Sequence, residues 1–518
     1  MRRILLLLAA VAAGLSFSCA SGYAPSIHVS TGSLSSWSGT ATVRTAEGML
    51  RGTDDRLETF AWKGIRYASP PSGERRWMPP KPPEHWSGLK YATEFGQMPV
   101  QRIPFIGDVV GSEDCLFLNV WRPATREKGL PVHVWIHGGD NLVGSADINP
   151  DFYGHAIAAK TNCVSVSLNF RLGPLGWFSH PALKTGEPEG DSGNYGLLDI
   201  LAGLRWVKAN IEAFGGNPDN VTLSGESSGA VNILYLMVSP LAKGLFHKAI
   251  AQSPYSAGSS VLDAEKFGVA LADRLLARRP DHHTDKAGAA TLRALDAESL
   301  VSIDRSNKIR IAAFPFPILD GCVIPQNGLA AFSNPGATEP IPLIIGSTKE
   351  ETKVFQWFDS QDPSNPEYQL RAQRESARWK SENVDALADA IVRADASRKV
   401  YVYRFDWGAL DAKGQSVLGG RAGITIGASH GIDMSFFMLT DTVYGSIFPF
   451  RLFTQANEKG RKELKDRMAA YISNFMRTGN PDSADLEPVW KPWKPEPLDR
   501  VFLVLDADLH TARIRTEY

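Results

Sequence analysis

The chain has 518 residues, with 55 Lys and Arg against 56 Asp and Glu and a formal net charge of −1. That balance offers no basic excess for nucleic acid and no acidic tail, while a hydrophobic content of 43% is ordinary for a globular protein with a large core. Four cysteines, Cys19, Cys115, Cys163 and Cys322, are too few for a disulfide framework to be the basis of the fold.

At the N-terminus, Arg2 and Arg3 precede an apolar run, Ile4–Leu15, that leads into small residues. The pattern reads as a secretory signal over residues 1–20, cleaved after Ala20, and the run is short for a membrane span. The protein is therefore expected to be exported, either periplasmic or secreted. Cys19 offers a lipoprotein alternative, although Leu15 lies one place too far upstream for a good lipobox. Residues 21–40 are rich in Ser and Gly and read as a flexible leader, with 41–518 as the folded part. No later segment is long and apolar enough to be a membrane helix.

Strand-like and helix-like segments then alternate. Pro/Gly clusters at Ser69–Gly73 and Met78–Pro83 mark early loops. Leu130–Ile136 and Cys163–Asn169 read as buried strands, Leu198–Phe214 as a helix, Val221–Leu223 as a short strand, Ala230–Met237 as a helix, and Pro342–Ile345 as a further strand. Residues 260–310 and 360–400 read as amphipathic helices lying over the sheet edge. This alternation predicts an α/β fold, with a mostly parallel central sheet flanked by helices. No internal repeat is present.

The most informative segment is Phe214–Gly229, which carries Gly225-Glu226-Ser227-Ser228-Gly229 between the strand-like and helix-like runs. A serine on a tight strand-to-helix turn has its hydroxyl exposed, and flanking glycines remove Cβ atoms that would clash in so sharp a turn. The helix start behind it offers free N–H groups where an oxyanion could form. Further free N–H groups are expected from His137-Gly138-Gly139-Asp140, directly after the strand Leu130–Ile136. A serine hydroxyl needs a base within hydrogen-bond reach, and the base needs an orienting carboxylate. In chain order the acid and then the histidine follow the serine. The best-placed histidine is His430, in Gly427-Ala428-Ser429-His430-Gly431, and either Glu350 or Glu351 could be the acid on local grounds.

Together these residues resemble the type-B carboxylesterases, the α/β-hydrolase branch that includes cholinesterases and bacterial para-nitrobenzyl esterases. Phe214–Gly229 fits that family's serine pattern, and Glu113–Val120 (EDCLFLNV) fits its second pattern. Further matches are Gly64–Ala68 with Pro70-Pro71, Asn169–Gly173, Gly193–Gly196 and Arg477–Pro481, so the resemblance runs from about residue 45 to near the C-terminus. It implies one α/β-hydrolase domain over 41–518, with helical insertions over the active site. It implies a Ser-His-Glu triad of Ser227, His430 and Glu351, the glutamate falling five residues after the strand-ending glycine. It implies oxyanion donors from the N–H groups of Gly139, Asp140 and Ser228. Glu226, Ser253 and Asp433 match positions around the serine and histidine. The implied reaction is hydrolysis of a small-molecule carboxylic ester through an acyl-enzyme, with neither cofactor nor metal. An amidase, lactonase or thioesterase on the same triad is the alternative. A non-catalytic cholinesterase-like binding protein is disfavoured, because such proteins usually lack a triad residue and this chain retains all of them. With an unperturbed imidazole, activity would fall near about pH 6–7.

Three positions depart from the family. Asp140 stands where a third glycine is usual. Its N–H can still donate, but two unit charges about 6 Å apart at an effective dielectric of about 20 repel by roughly 3 kcal/mol. Its carboxylate is therefore expected to point away from the reacting centre, pair with a cation or be protonated. Asn141 stands where an aromatic residue is usual and is a candidate pocket residue. Pro99 stands near the place of the expected partner of Cys115, which should then be a free, buried thiol.

Overall fold

The computed structural model describes residues 37–103, 107–149, 153–277, 288–302, 317–359, 361–442, 450–496 and 500–518. The expected signal over residues 1–20, with Cys19, and residues 21–36 of the expected leader lie outside them. The protein has the α/β-hydrolase fold, built on one eleven-stranded sheet. In chain order its strands are β1 (Thr53–Asp55), β2 (Thr59–Arg66), β3 (Phe117–Pro123), β4 (Leu130–Ile136), β5 (Val164–Leu168), β6 (Gly216–Glu226), β7 (Lys248–Gln252), β8 (Leu343–Thr348), β9 (Val400–Phe405), β10 (Phe502–Leu505) and β11 (Arg515–Glu517). Their spatial order is β11-β10-β9-β8-β7-β6-β4-β5-β3-β2-β1. The run from β5 to β10 is parallel, and only the two flanks are antiparallel.

Side-chain alternation divides the core into two layers. Val132, Val134 and Ile136 of β4, Leu343 and Ile345 of β8, and Val400 and Val402 of β9 belong to one apolar cluster. Trp135, Ile344, Tyr401 and Tyr403, which point the other way, belong to a second. Helices α1 (Tyr195–Asn210) and α2 (Ser228–Val238) cover the first face, the latter through Ile233 and Leu234. Every residue of α2 is buried, so it carries no polar stripe. Two short-to-medium helices follow β8, α3 (Lys353–Phe358) and α4 (Pro366–Lys380). The long helix α5 (Glu458–Thr478) covers the second face with Leu464, Met468, Ile472 and Phe475, a helical stripe.

The register positions the site. Ile136 pairs with Gly225, Gly225 with Ala251, and Ala251 with Ile345. One row across the parallel strands therefore brings the segments that follow β4, β6, β7 and β8 to the same C-terminal edge.

The expected elements differ from the observed ones mainly at their ends. The strand expected at Val221–Leu223 begins at Gly216, because Gly216 pairs with Leu130 across a bulge that the polar NPDN stretch conceals. The helix expected at Leu198 begins at Tyr195 and ends at Asn210, with a 3-10 turn over Ile211–Phe214. Helix over 360–400 stops at Ala394, and the alternating VYVYRF becomes β9. Cys115 and Cys163 are buried free thiols, and Cys322 is a half-buried one. Among the described residues no helix is long and apolar enough to cross a membrane.

Candidate active site

Ser227 joins β6 to α2 with φ 57° and ψ −127°. A non-glycine residue held at positive φ costs about 1–3 kcal/mol and persists only where its surroundings over-determine it. Here the Ser227 N–H donates to the Gln252 carbonyl at 2.9 Å, and the Ser227 carbonyl accepts from the Val231 N–H at 3.0 Å. The flanking glycines allow close approach. A Cβ on Gly225 would lie 2.7 Å from the Ile136 carbonyl oxygen, and one on Gly229 would lie 2.2 Å from the same atom. Any side chain at either position would push α2 off the end of β4.

The loop after β4 faces this turn. Gly139, Asp140 and Asn141 are successive residues at positive φ. Among the described residues, no group accepts a hydrogen bond from the N–H of Gly139 or Asp140. Ser228 opens α2, so its N–H has no intrahelical acceptor. The loop is fastened to α2 by Asn141, whose N–H donates to Ser228 Oγ at 3.0 Å and whose amide exchanges bonds of 3.1 and 2.8 Å with Asn232. Asn141 is 1% exposed, because its amide finds a full partner in Asn232, a residue that the sequence does not single out. The Asp140 carboxylate is exposed and accepts from the Tyr255 hydroxyl at 3.3 Å, a neutral donor rather than a cation.

The two glutamates after β8 face different ways. Glu351 is fully buried and its Oε1 meets His430 Nδ1, while its Oε2 accepts from the Thr348 N–H at 2.7 Å, the Thr348 hydroxyl at 2.9 Å and the Ser253 hydroxyl at 3.1 Å. Glu350 instead pairs with Lys353. Ser253 therefore holds the glutamate, and Thr348 does so from a position without a distinctive motif. On the other side of the ring, Glu226 Oε1 lies 3.0 Å from His430 Nε2. Two carboxylates thus flank one imidazole. Burial by itself depresses the imidazole pKa, but Glu226 and then Glu351 more than offset it and hold His430 well above its ordinary value. Asp433 touches Tyr403, whose hydroxyl donates to its Oδ2 at 2.7 Å, and burial pushes its pKa up to about 7 against that bond.

Aromatic rings wall the histidine. Phe355 of α3 and Trp379 of α4 lie 5.0 and 5.6 Å from the His430 ring, and Tyr255 lies 6.0 Å from Trp379. Phe355 falls in the aromatic stretch Val354–Phe358 that the sequence makes conspicuous, whereas nothing local distinguishes Trp379. Among the described residues, no group of three or more His, Cys, Asp or Glu side chains could hold a metal ion.

The carboxylesterase family model matches residues 39–396 and 382–515. The chain is 32% identical over 510 residues to the para-nitrobenzyl esterase of Bacillus subtilis, covering 90% of this chain and 95% of that protein. It is 38% identical over 322 residues to the fumonisin B1 esterase of Sphingopyxis macrogoltabida, a match that spans 60% of this chain and 56% of that protein. The solved carboxylesterase EST55 of Geobacillus stearothermophilus superposes with a TM-score of 0.74 at 30% identity, covering 92% of this chain and 98% of that one.

Proposed function

We propose, from the premise that this chain belongs to the carboxylesterase family and is a carboxylic ester hydrolase of the serine class, that it works through an acyl-enzyme on Ser227, with His430 as base and Glu351 as its orienting acid. The observation that carries this reading is the buried Glu351–His430 contact at the sheet edge where the strained Ser227 turn stands. His430 takes the proton from the Ser227 hydroxyl as oxygen attacks the ester carbonyl. Glu351, held by Thr348 and Ser253, fixes the ring and stabilises the imidazolium. The N–H groups of Gly139, Asp140 and Ser228 receive the oxyanion, each donor being worth about 10²–10³ in rate. The alcohol leaves with the proton from His430, and water then repeats the sequence on the acyl group. Phe355, Trp379 and Tyr255 offer an apolar wall for one part of a small-molecule ester. Residues 41–518 act as a single catalytic domain on this reading. The test is hydrolysis of a panel of p-nitrophenyl esters by wild type and Ser227→Ala.

The flanking carboxylates predict an unusual pH profile. The base must be neutral to accept a proton, and a raised pKa keeps it protonated to higher pH. The rate is therefore expected to rise with pH through and beyond the ordinary histidine range near about 6.5. Glu226→Gln removes one flanking charge and should move this acid limb downward. A limb at or below the ordinary value in wild type, unmoved by Glu226→Gln, would contradict the assignment.

Asp140 gives a second expectation. Because its carboxylate is turned to the Tyr255 hydroxyl at the exposed rim, the side chain is not needed for chemistry, while the backbone N–H is. Asp140→Gly keeps that N–H and is expected to retain or raise kcat/KM on neutral esters. A total loss would assign the carboxylate a direct role.

A further inference from the structure

We propose that the buried Glu350–Lys353 pair is a positioning device for His430, setting the height of the Ala428–His430 segment against the end of β8. The inference rests on His430 being the base, as proposed above. Glu350 and Glu351 are neighbours with opposite tasks: Glu351 holds the ring, and Glu350 holds the backbone that carries it. The Glu350 N–H donates to the Ala428 carbonyl at 2.9 Å, and its Oε2 accepts from the Ala428 N–H at 3.0 Å. The His430 N–H donates to the Glu351 carbonyl at 3.0 Å, which continues the same strap. The other carboxylate oxygen, Oε1, pairs with Lys353 Nζ at 2.8 Å, and Lys353 in turn donates to the Gly423 carbonyl at 3.2 Å. The pair therefore grips both ends of the segment that leads into His430.

The packing leaves no slack. Lys353 is fully buried and Glu350 is 4% exposed. Gly427 has φ +53°, and a Cβ there would lie 1.9 Å from Glu350 Oε2, so the carboxylate occupies the room of a side chain. A buried ion pair gives little net stability over apolar residues of the same volume. What this one supplies is direction, as hydrogen bonds to two backbone groups at the approach to the base. Reaction rates are sensitive to such placement, since a shift of about 1 Å can cost about 10²-fold.

The test uses the full-length enzyme and p-nitrophenyl butyrate, with kcat, KM, the acid limb of the pH profile and the melting temperature measured for Glu350→Gln, Lys353→Met and the charge-free double variant. Both single variants are expected to lower kcat by about 10²-fold with KM nearly unchanged. Both should move the acid limb the same way, downward, because a loosened segment weakens the hold of Glu351 on the ring. A through-space charge effect would move the limb in opposite directions in the two variants, since one removes a negative charge and the other a positive one. That result, or wild-type kcat in the folded variants, overturns the proposal. If a single variant fails to fold, the double variant carries the same readings, because it leaves no unpaired buried charge. Ser227→Ala separates the two levels: undiminished activity there refutes the catalytic reading, whereas an inactive Ser227→Ala beside fully active Glu350 and Lys353 variants refutes the positioning role alone.

Discussion

Replacing Ser227 with alanine is expected to lower kcat on p-nitrophenyl esters by about 10⁶-fold while leaving the fold intact. The size follows from the division of labour proposed above for Ser227, His430 and Glu351. Without the hydroxyl there is nothing for His430 to activate, so Glu351 and His430 lose their use together, and the losses of triad residues do not add. The N–H groups of Gly139, Asp140 and Ser228 remain, which should leave a residual acceleration of about 10³–10⁴ over water. Stability should change little, because the turn is held by the Ser227 N–H bond to Gln252 and the Val231 N–H bond to Ser227, and alanine keeps both. Matched kcat and thermal melts on the two proteins check this. A variant within tenfold of wild type, or one that no longer melts cooperatively, would remove Ser227 from the role assigned to it.

The second large effect concerns stability. Arg171 and Asp199 form a buried two-pronged ion pair, with Nε and Nη2 each 2.7 Å from a carboxylate oxygen and the Arg171 N–H a further donor at 3.1 Å. Their side chains are 3% and 0% exposed. Asp199→Ala would leave the guanidinium buried and uncompensated, which is expected to destabilise the protein by about 3–5 kcal/mol. Replacing both partners by apolar residues of similar volume should cost much less, for the same reason. Urea unfolding midpoints of Asp199→Ala and of the Arg171→Met/Asp199→Leu double variant decide the matter. A single variant no weaker than the double would show that an uncompensated buried charge is not the source of the loss. Activity should follow stability here, because the segment after Arg171 holds the loop after β4, the proposed source of the oxyanion donors, through the Gly173 N–H bond to the Asn141 carbonyl at 2.7 Å.

Much of the scaffold is legible in the residues. LPVHVWI can only be a strand buried on both faces, and it is β4 end to end. Gly225 and Gly229 announce a close approach of backbones, and the structure supplies the atom they approach, the Ile136 carbonyl oxygen. Element ends were less legible. At Gly216 a single pair with Leu130 carries the strand upstream of Val221, while Asn217–Asn220 keep their turn chemistry in the bulge between the paired stretches, where the Asp219 N–H donates to Asn217 Oδ1 at 2.9 Å. Local chemistry also left Glu350 and Glu351 equivalent. The family resemblance singled out Glu351, while the geometry shows why the two are not interchangeable: one meets His430, 79 residues away, and the other meets Lys353 and Ala428.

By itself, then, the sequence determined the local stereochemistry: a strained serine between strand and helix, glycines where backbones nearly touch, and a parallel sheet to carry them. Steric exclusion and side-chain periodicity act over a few residues, so a few residues suffice to read them. Only the tertiary structure decided the electrostatics. That Glu226 and Glu351 flank His430 together, that Asn141 turns inward to Asn232, and that Asp140 turns outward to Tyr255 all depend on strand order and register. Charges act through distance, and distances between remote segments exist only once the chain has folded.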